Sequence, residues 1–200
     1  MEVARPDWNR LYETASSQQG LFTTKQAEEA GYSPQLLNHH IHTGRVTRLR
    51  RGVYRIVHFP AGEHEDLVAA WLWSEQAGIV SHQTALALHD LSDLLPGKIH
   101  LTLPSSWRAR RFRVPAGVVL HYADVPADDR KWFGATPITG VQRTLNDCAK
   151  EALSADLLRQ AAQQALRRGL VTRRELGDVE DVLKPFGGIA PHDGSDLQVT

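Results

Sequence analysis

The feature that most constrains this chain is a change of period near Gly44. Before it, apolar residues recur at helical spacing; after it, they alternate as in a strand. Trp8, Leu11 and Tyr12 predict a first amphipathic helix that ends before Gly20. Thr23, with Gln26 three positions on, is a capping-box pair for a short second helix that stops at Gly31. Ser33 is a good N-cap and Pro34 suits a first helical turn. They open a third helix with Leu36, Leu37 and Ile41 on one face, ending at Gly44. The strand formers Val46, Leu49, Val53, Tyr54 and Ile56 come next. Arg50-Arg51-Gly52 supplies a turn whose glycine can take positive φ. Short helices, a tight turn between the second and third, then a basic hairpin: that is the order of a winged helix-turn-helix.

Charge is segregated in a way that suits such a module. The chain has no net charge, yet no acidic residue lies between Glu29 and Glu63. That interval holds Arg45, Arg48, Arg50, Arg51 and Arg55, with His39, His40, His42 and His58. A second acid-free interval, from Asp93 to Asp124, holds Lys98, Arg108, Arg110, Arg111 and Arg113. A neutral protein with a basic N-terminal third can bind a polyanion locally without general stickiness.

Pro60-Ala61-Gly62 reads as a linker, and the chain beyond it as a mixed domain. Helices are expected over 63–76, 81–90, 139–150 and 153–168, and strands over 98–104 and 118–122. Thr172 and Glu175 form another capping box before a last short helix. The expected architecture is therefore α+β: an N-terminal winged helix-turn-helix over residues 1–60, then a mixed α/β C-terminal domain over 63–184. Residues 185–200, rich in Gly, Pro, Asp and Ser, are expected to form a mobile tail. The polar N-terminus and the short apolar runs predict neither a signal segment nor a membrane span. One cysteine, Cys148, fits a reducing cytoplasm and a packed core thiol.

The third helix and hairpin carry the functional expectation, which is binding to double-stranded DNA. Gln35, Asn38, His39 and His42 point away from the apolar face of the third helix, where base edges would be read. Arg45, Arg48, Arg50, Arg51 and Arg55 are candidates for phosphate contacts beside the groove. A possible second basic patch is Arg108, Arg110, Arg111 and Arg113, interleaved with Trp107 and Phe112. On its residues alone it is a contact to DNA backbone or an acidic partner, or a solvated loop between strands.

Several segments resemble the AbiEi-type antitoxin and transcriptional regulator family. In the N-terminal part these are Gly20-Leu21-Phe22-Thr23-Thr24, Gly31, Gly44 and Leu49-Arg50-Arg51-Gly52-Val53-Tyr54-Arg55. Beyond the linker they are Ser81-His82-Gln83-Thr84-Ala85-Leu86, His100-Leu101-Thr102-Leu103-Pro104, and Thr139 with Arg143-Thr144-Leu145 and Asp147. The resemblance implies a repressor of its own operon, with a second domain that counters a cognate nucleotidyltransferase-like toxin. Some such proteins stand alone as regulators. A protein-interaction module that does not read DNA is the alternative from another class.

Other chemistry has less support. His39, His40 and His42 have no cysteine or carboxylate nearby in sequence, so they read as polar surface and not as a metal site. No metal or cofactor is expected. The strands expected over 98–104 and 118–122 contain no carboxylate to hold a nuclease metal. Neither a nucleophile elbow nor a phosphate-cradling glycine loop is present, and no catalytic residue is assigned.

Overall fold

In the computed structural model, residues 5–111 and 113–189 are described. The chain begins with α1 (Trp8–Ser16), β1 (Leu21–Thr23), α2 (Thr24–Glu29), α3 (Pro34–His42), β2 (Val46–Arg50) and β3 (Val53–Ile56). The caps are those the sequence predicts. Thr23 and Gln26 exchange both capping-box bonds, and Ser33 Oγ accepts from the Leu36 amide at 3.2 Å. The strands form an antiparallel sheet in the order β1-β3-β2. Strand β1 is the element the sequence pattern lacks, because a three-residue strand shows no period; its edge pairing to β3 makes it one. Leu11, Phe22, Leu37, Val46 and Ile56 fill the core between helices and sheet. Gly20 holds φ +81, and a Cβ there would lie 2.6 Å from the Phe59 ring. Glycine is required on both counts.

The second part contains α4 (Glu65–Trp73), β4 (Ile79–Val80), α5 (His82–Leu88), β5 (Ile99–Leu103) and β6 (Val118–Tyr122). Then come β7 (Arg130–Phe133), β8 (Thr136–Thr139), α6 (Val141–Lys150), α7 (Ala155–Arg167) and α8 (Gly177–Leu183). Among the described residues the strands form one mixed sheet, β6-β5-β4-β8-β7. Strands β5 and β6 run parallel, and so do β4 and β8; the other neighbours are antiparallel. The fold is α+β, as the sequence predicts. Of this sheet the sequence pattern shows only β5 and β6: β4 is two residues long, and β7 is mostly exposed. Thr139 ends β8 and does not begin the next helix.

Helix α4 is apolar almost all round, for a reason visible in its contacts. Val68, Ala69, Trp71 and Leu72 pack with Leu21 and Val53 of the first sheet, while Leu67 and Ala70 pack on Ile99 of the second. Helices α5 to α8 share a separate core around Leu86, Leu145, Leu158, Ala161 and Leu183. Cys148 lies in that core, and burial pushes its thiol up to about 12, so it is inert packing. The segment expected as a tail divides in two. Ile189 is buried in the same core, and Arg159 Nε donates to the Gly188 carbonyl at 3.0 Å. Residues 190–200 lie outside the described residues. No described helix is long and apolar enough to cross a membrane.

Candidate nucleic-acid interface

Helix α3 presents the two faces its periodicity implies. Leu37 is buried, Leu36 and Ile41 half-buried, and Gln35, Asn38, His39 and His42 exposed. His40 turns the other way, packing on Trp8 and Tyr32 with ring centroids 6.0 and 5.5 Å apart. Burial, then Arg45 and His39, keep its pKa below the usual histidine value, so His40 serves the fold. His42 Nδ1 donates to the Asn38 carbonyl at 2.8 Å, which leaves Nε2 as an acceptor. Gln35 and Asn38 line a shallow cleft together with Arg48 of β2 and Thr24 at the start of α2. Residues of the recognition-type helix and of the hairpin thus share one surface.

The hairpin arginines divide by environment. Arg45, Arg48 and Arg51 are exposed, and Arg48 Nε leans back toward the Arg50 carbonyl at 3.4 Å. A register shift between Arg48 and Arg50 bulges β2 and leaves Leu49 41% exposed beside the turn. Arg55 lies elsewhere. Its guanidinium is 3.1 Å from the Glu65 carboxylate of α4 and donates to the Phe59 carbonyl at 2.9 Å. With only 19% of its side chain exposed, it ties the hairpin to α4 and stands apart from the exposed arginines.

Arg50 is half-buried and faces a groove of about 780 Å³ that no local sequence pattern reveals. The groove runs between the hairpin turn, with Arg50 and Arg51, and the loop after β5, with Trp107, Arg110, Arg111 and Arg113. Arg110 stacks on Trp107 with its guanidinium carbon 3.8 Å from the ring centroid, a cation–π contact, and lies 3.9 Å from Glu75. Arg108 leans instead over Tyr122, 5.9 Å from its centroid. Part of each basic interval therefore meets across one groove, Arg50 and Arg51 from the first and Arg110, Arg111 and Arg113 from the second. Only the fold could supply that meeting, because a long stretch of chain separates them.

The motif segments of the second part do structural work. Thr84 Oγ1 donates to the Lys98 carbonyl and accepts from the His100 amide, at 3.1 and 2.9 Å. Arg143 Nε donates to both Asp147 oxygens at 2.9 and 3.0 Å, and Arg143 also reaches Asp129 at 3.5 Å. Thr139 and Thr144 bond each other in the interior at 2.7 Å. These contacts fasten β8, α5 and α6.

Comparison with known proteins concerns chiefly the first part. No curated protein matches the chain. The solved structure of the RV2827C protein from Mycobacterium tuberculosis is similar over 88% of this chain and 80% of that one, at 16% identity and a TM-score of 0.45. Residues 9–57 match the family model described as transcriptional regulator, AbiEi antitoxin. The match spans α1 through β3, the same stretch whose glycines and Arg-Arg-Gly-Val-Tyr element resemble that family. In residues 9–57, the chain carries the pattern of the AbiEi family of transcriptional regulators and antitoxins.

Proposed function

We propose that the protein is a cytoplasmic, sequence-specific repressor that binds double-stranded DNA, and that it is the antitoxin of its own operon. The observation that carries the reading is the cleft shared by Gln35, Asn38 and Arg48, in a stretch of chain that also exposes Arg45 and Arg51 and holds no acidic residue. Gln and Asn have the donor–acceptor pairs that read base edges, and the arginines suit phosphates. Gln35, Asn38, His39 and His42 read the major groove. Arg45, Arg48 and Arg51 hold the flanking backbone, and Arg50 with Arg110, Arg111 and Arg113 extends the electrostatic contact into the second part. The protein performs no catalysis in this role. The second part counters a nucleotidyltransferase-like toxin, a role supported by the family match of residues 9–57 and the resemblance beyond the linker.

The test is enrichment from a random pool of duplex DNA on the full chain. Convergence on one motif, lost in Gln35→Ala and Asn38→Ala, is the expected result. Recovery of unrelated sequences at every salt concentration would leave only an interaction module. The antitoxin role is tested by co-expression with any nucleotidyltransferase-like protein encoded beside it. Absence of growth rescue would reduce the protein to a stand-alone regulator.

A further inference from the structure

We infer that His82, His100 and His121 form a binding site for one divalent transition-metal ion of zinc type, oriented by Glu151. The site is separate from the DNA face. One ligand-capable atom from each histidine lies within 4.8 Å of the others, and the three residues come from different elements. His100 is on β5 and His121 on β6. Because Thr102 pairs with His121 in the parallel register, the two imidazoles are diagonal neighbours on one face of the sheet. His82 opens α5, and the Ser81 amide, bonded to the His100 carbonyl at 3.0 Å, pins that start to β5.

The ring nitrogens are arranged for ligation. His121 Nδ1 donates to Glu151 Oε1 at 2.8 Å, which fixes its tautomer and makes Nε2 an acceptor, here of the His100 Nδ1 proton that an ion would replace. That Nε2 lies 3.0 Å from His100 Nδ1. A carboxylate behind the far nitrogen of a histidine is how proteins orient metal-binding imidazoles. His82 Nδ1 bonds Ser81 Oγ at 2.9 Å, itself held by Thr102 Oγ1 at 2.7 Å, so Nε2 remains for an ion. Tetrahedral zinc with Zn–N bonds of about 2.0–2.1 Å sets its ligand nitrogens about 3.3 Å apart. The His82 and His121 rings are stacked with centroids 3.6 Å apart, and a rotation about χ2 fans them toward a shared ion.

One further observation distinguishes this cluster from ordinary buried histidines. His82 holds φ +51, a left-handed conformation unfavourable for a side chain with a Cβ, and such strain concentrates at functional sites. Metals bind the neutral ring. Imidazole nitrogen selects zinc, cobalt, nickel or copper over magnesium and calcium, which prefer oxygen.

The experiment uses the full chain, freed of any tag and stripped with a chelator, titrated with Zn²⁺ against a chromophoric indicator and with Co²⁺ by visible absorption. Expected are one ion per chain, an intense four-coordinate Co²⁺ spectrum and a rise in Tm. Affinity should fall by at least about 100-fold in His82→Gln and His121→Gln, and by about 10–100-fold in Glu151→Gln, as for other orienting carboxylates. His39→Gln/His42→Gln should bind as the wild type does. If a histidine variant does not fold, Glu151→Gln and the wild-type Co²⁺ spectrum still decide. Lack of saturable binding, a weak six-coordinate spectrum, or binding that survives His82→Gln or tracks with His39 and His42 would overturn the site.

Discussion

The exposed arginines of the proposed DNA face and the histidines of the second sheet are two opposite ways of holding nitrogen. Arg45, Arg48 and Arg51 stand in water. There a charge costs little to keep, and it is free to exchange solvent ions for phosphates. His82 and His100 are buried, and His121 keeps only 12% of its side chain exposed. There burial disfavours the charged form of the ring. The first arrangement acts at long range, through salt-sensitive contacts, and can be stripped without disturbing the fold. The second acts only on an ion that enters it, and its parts are held by the hydrogen bonds of the sheet. Between them lies α4, which packs on the first sheet through one cluster and on the second through another, so one helix joins the two regions even though their chemistries do not meet.

The sharpest test of that joint is Leu72→Ala. Leu72 is 2% exposed among residues of the first sheet and α4. Truncation should cost about 2–5 kcal/mol, the range for buried leucines, measured by urea denaturation. Both regions should unfold in one transition. A loss under about 1 kcal/mol, or a change confined to one of two separate transitions, would break α4's role as the joint.

Next in size come the proposed base readers, Gln35 and Asn38. Gln35→Ala and Asn38→Ala should each weaken binding to the enriched sequence by about 1–3 kcal/mol and leave random DNA nearly unaffected. Because both side chains are exposed, folding stability should change by less than about 0.5 kcal/mol. Equal losses on specific and random DNA would move base reading off α3.

The legibility of each region in the sequence depends on the distance over which its residues interact. The caps at Thr23 and Ser33, the apolar face of α3 and the turn at Gly52 rest on neighbours a few positions apart, so local pattern suffices. The exposure of Gln35 and Asn38 comes from the same periodicity. Arg55 is misleading: its sequence neighbours are the hairpin arginines, but its partner, Glu65, lies beyond the linker. The histidine cluster is invisible for the same reason. Its members meet only through the parallel register of β5 and β6 and the docking of α5, while the conspicuous run, His39, His40 and His42, divides between surface and core. Strands β4, β7 and β8 escape a sequence reading because their identity lies in their partners, not in any period of their own.

A smaller effect tests whether the second basic segment belongs with the first. Arg51→Ala and Arg111→Ala should weaken binding to all sequences. Each should flatten the slope of log K against log salt by about 0.9 per phosphate that it no longer neutralises. If Arg51 moves the slope and Arg111 does not, the groove between them is not a DNA path. The segment around Arg110 then becomes a surface for an acidic protein partner, which would deepen the contrast between the two regions.

The smallest effect concerns a half-buried histidine, His89, outside both sites. His89, at the end of α5, donates from Nε2 to the Thr139 carbonyl at 2.8 Å. Arg168 reaches the adjacent His89 and Asp90 carbonyls at 2.8 and 2.9 Å. Burial, and secondarily the Arg168 charge, hold the His89 pKa below the ordinary value of 6.5, against the opposing pull of the Thr139 bond. The folded chain therefore binds fewer protons here than the unfolded chain does. The stability that His89 contributes is complete above about pH 6.5. It declines as the pH falls through that value toward the depressed one. His89→Gln keeps an N–H donor for Thr139 but cannot titrate. The urea midpoint of the wild type should consequently drop more between pH 7 and pH 5 than that of the variant. The other buried histidines titrate in both proteins and cancel in the difference. Parallel pH curves for the two would mean that His89 takes up its proton without leaving the fold.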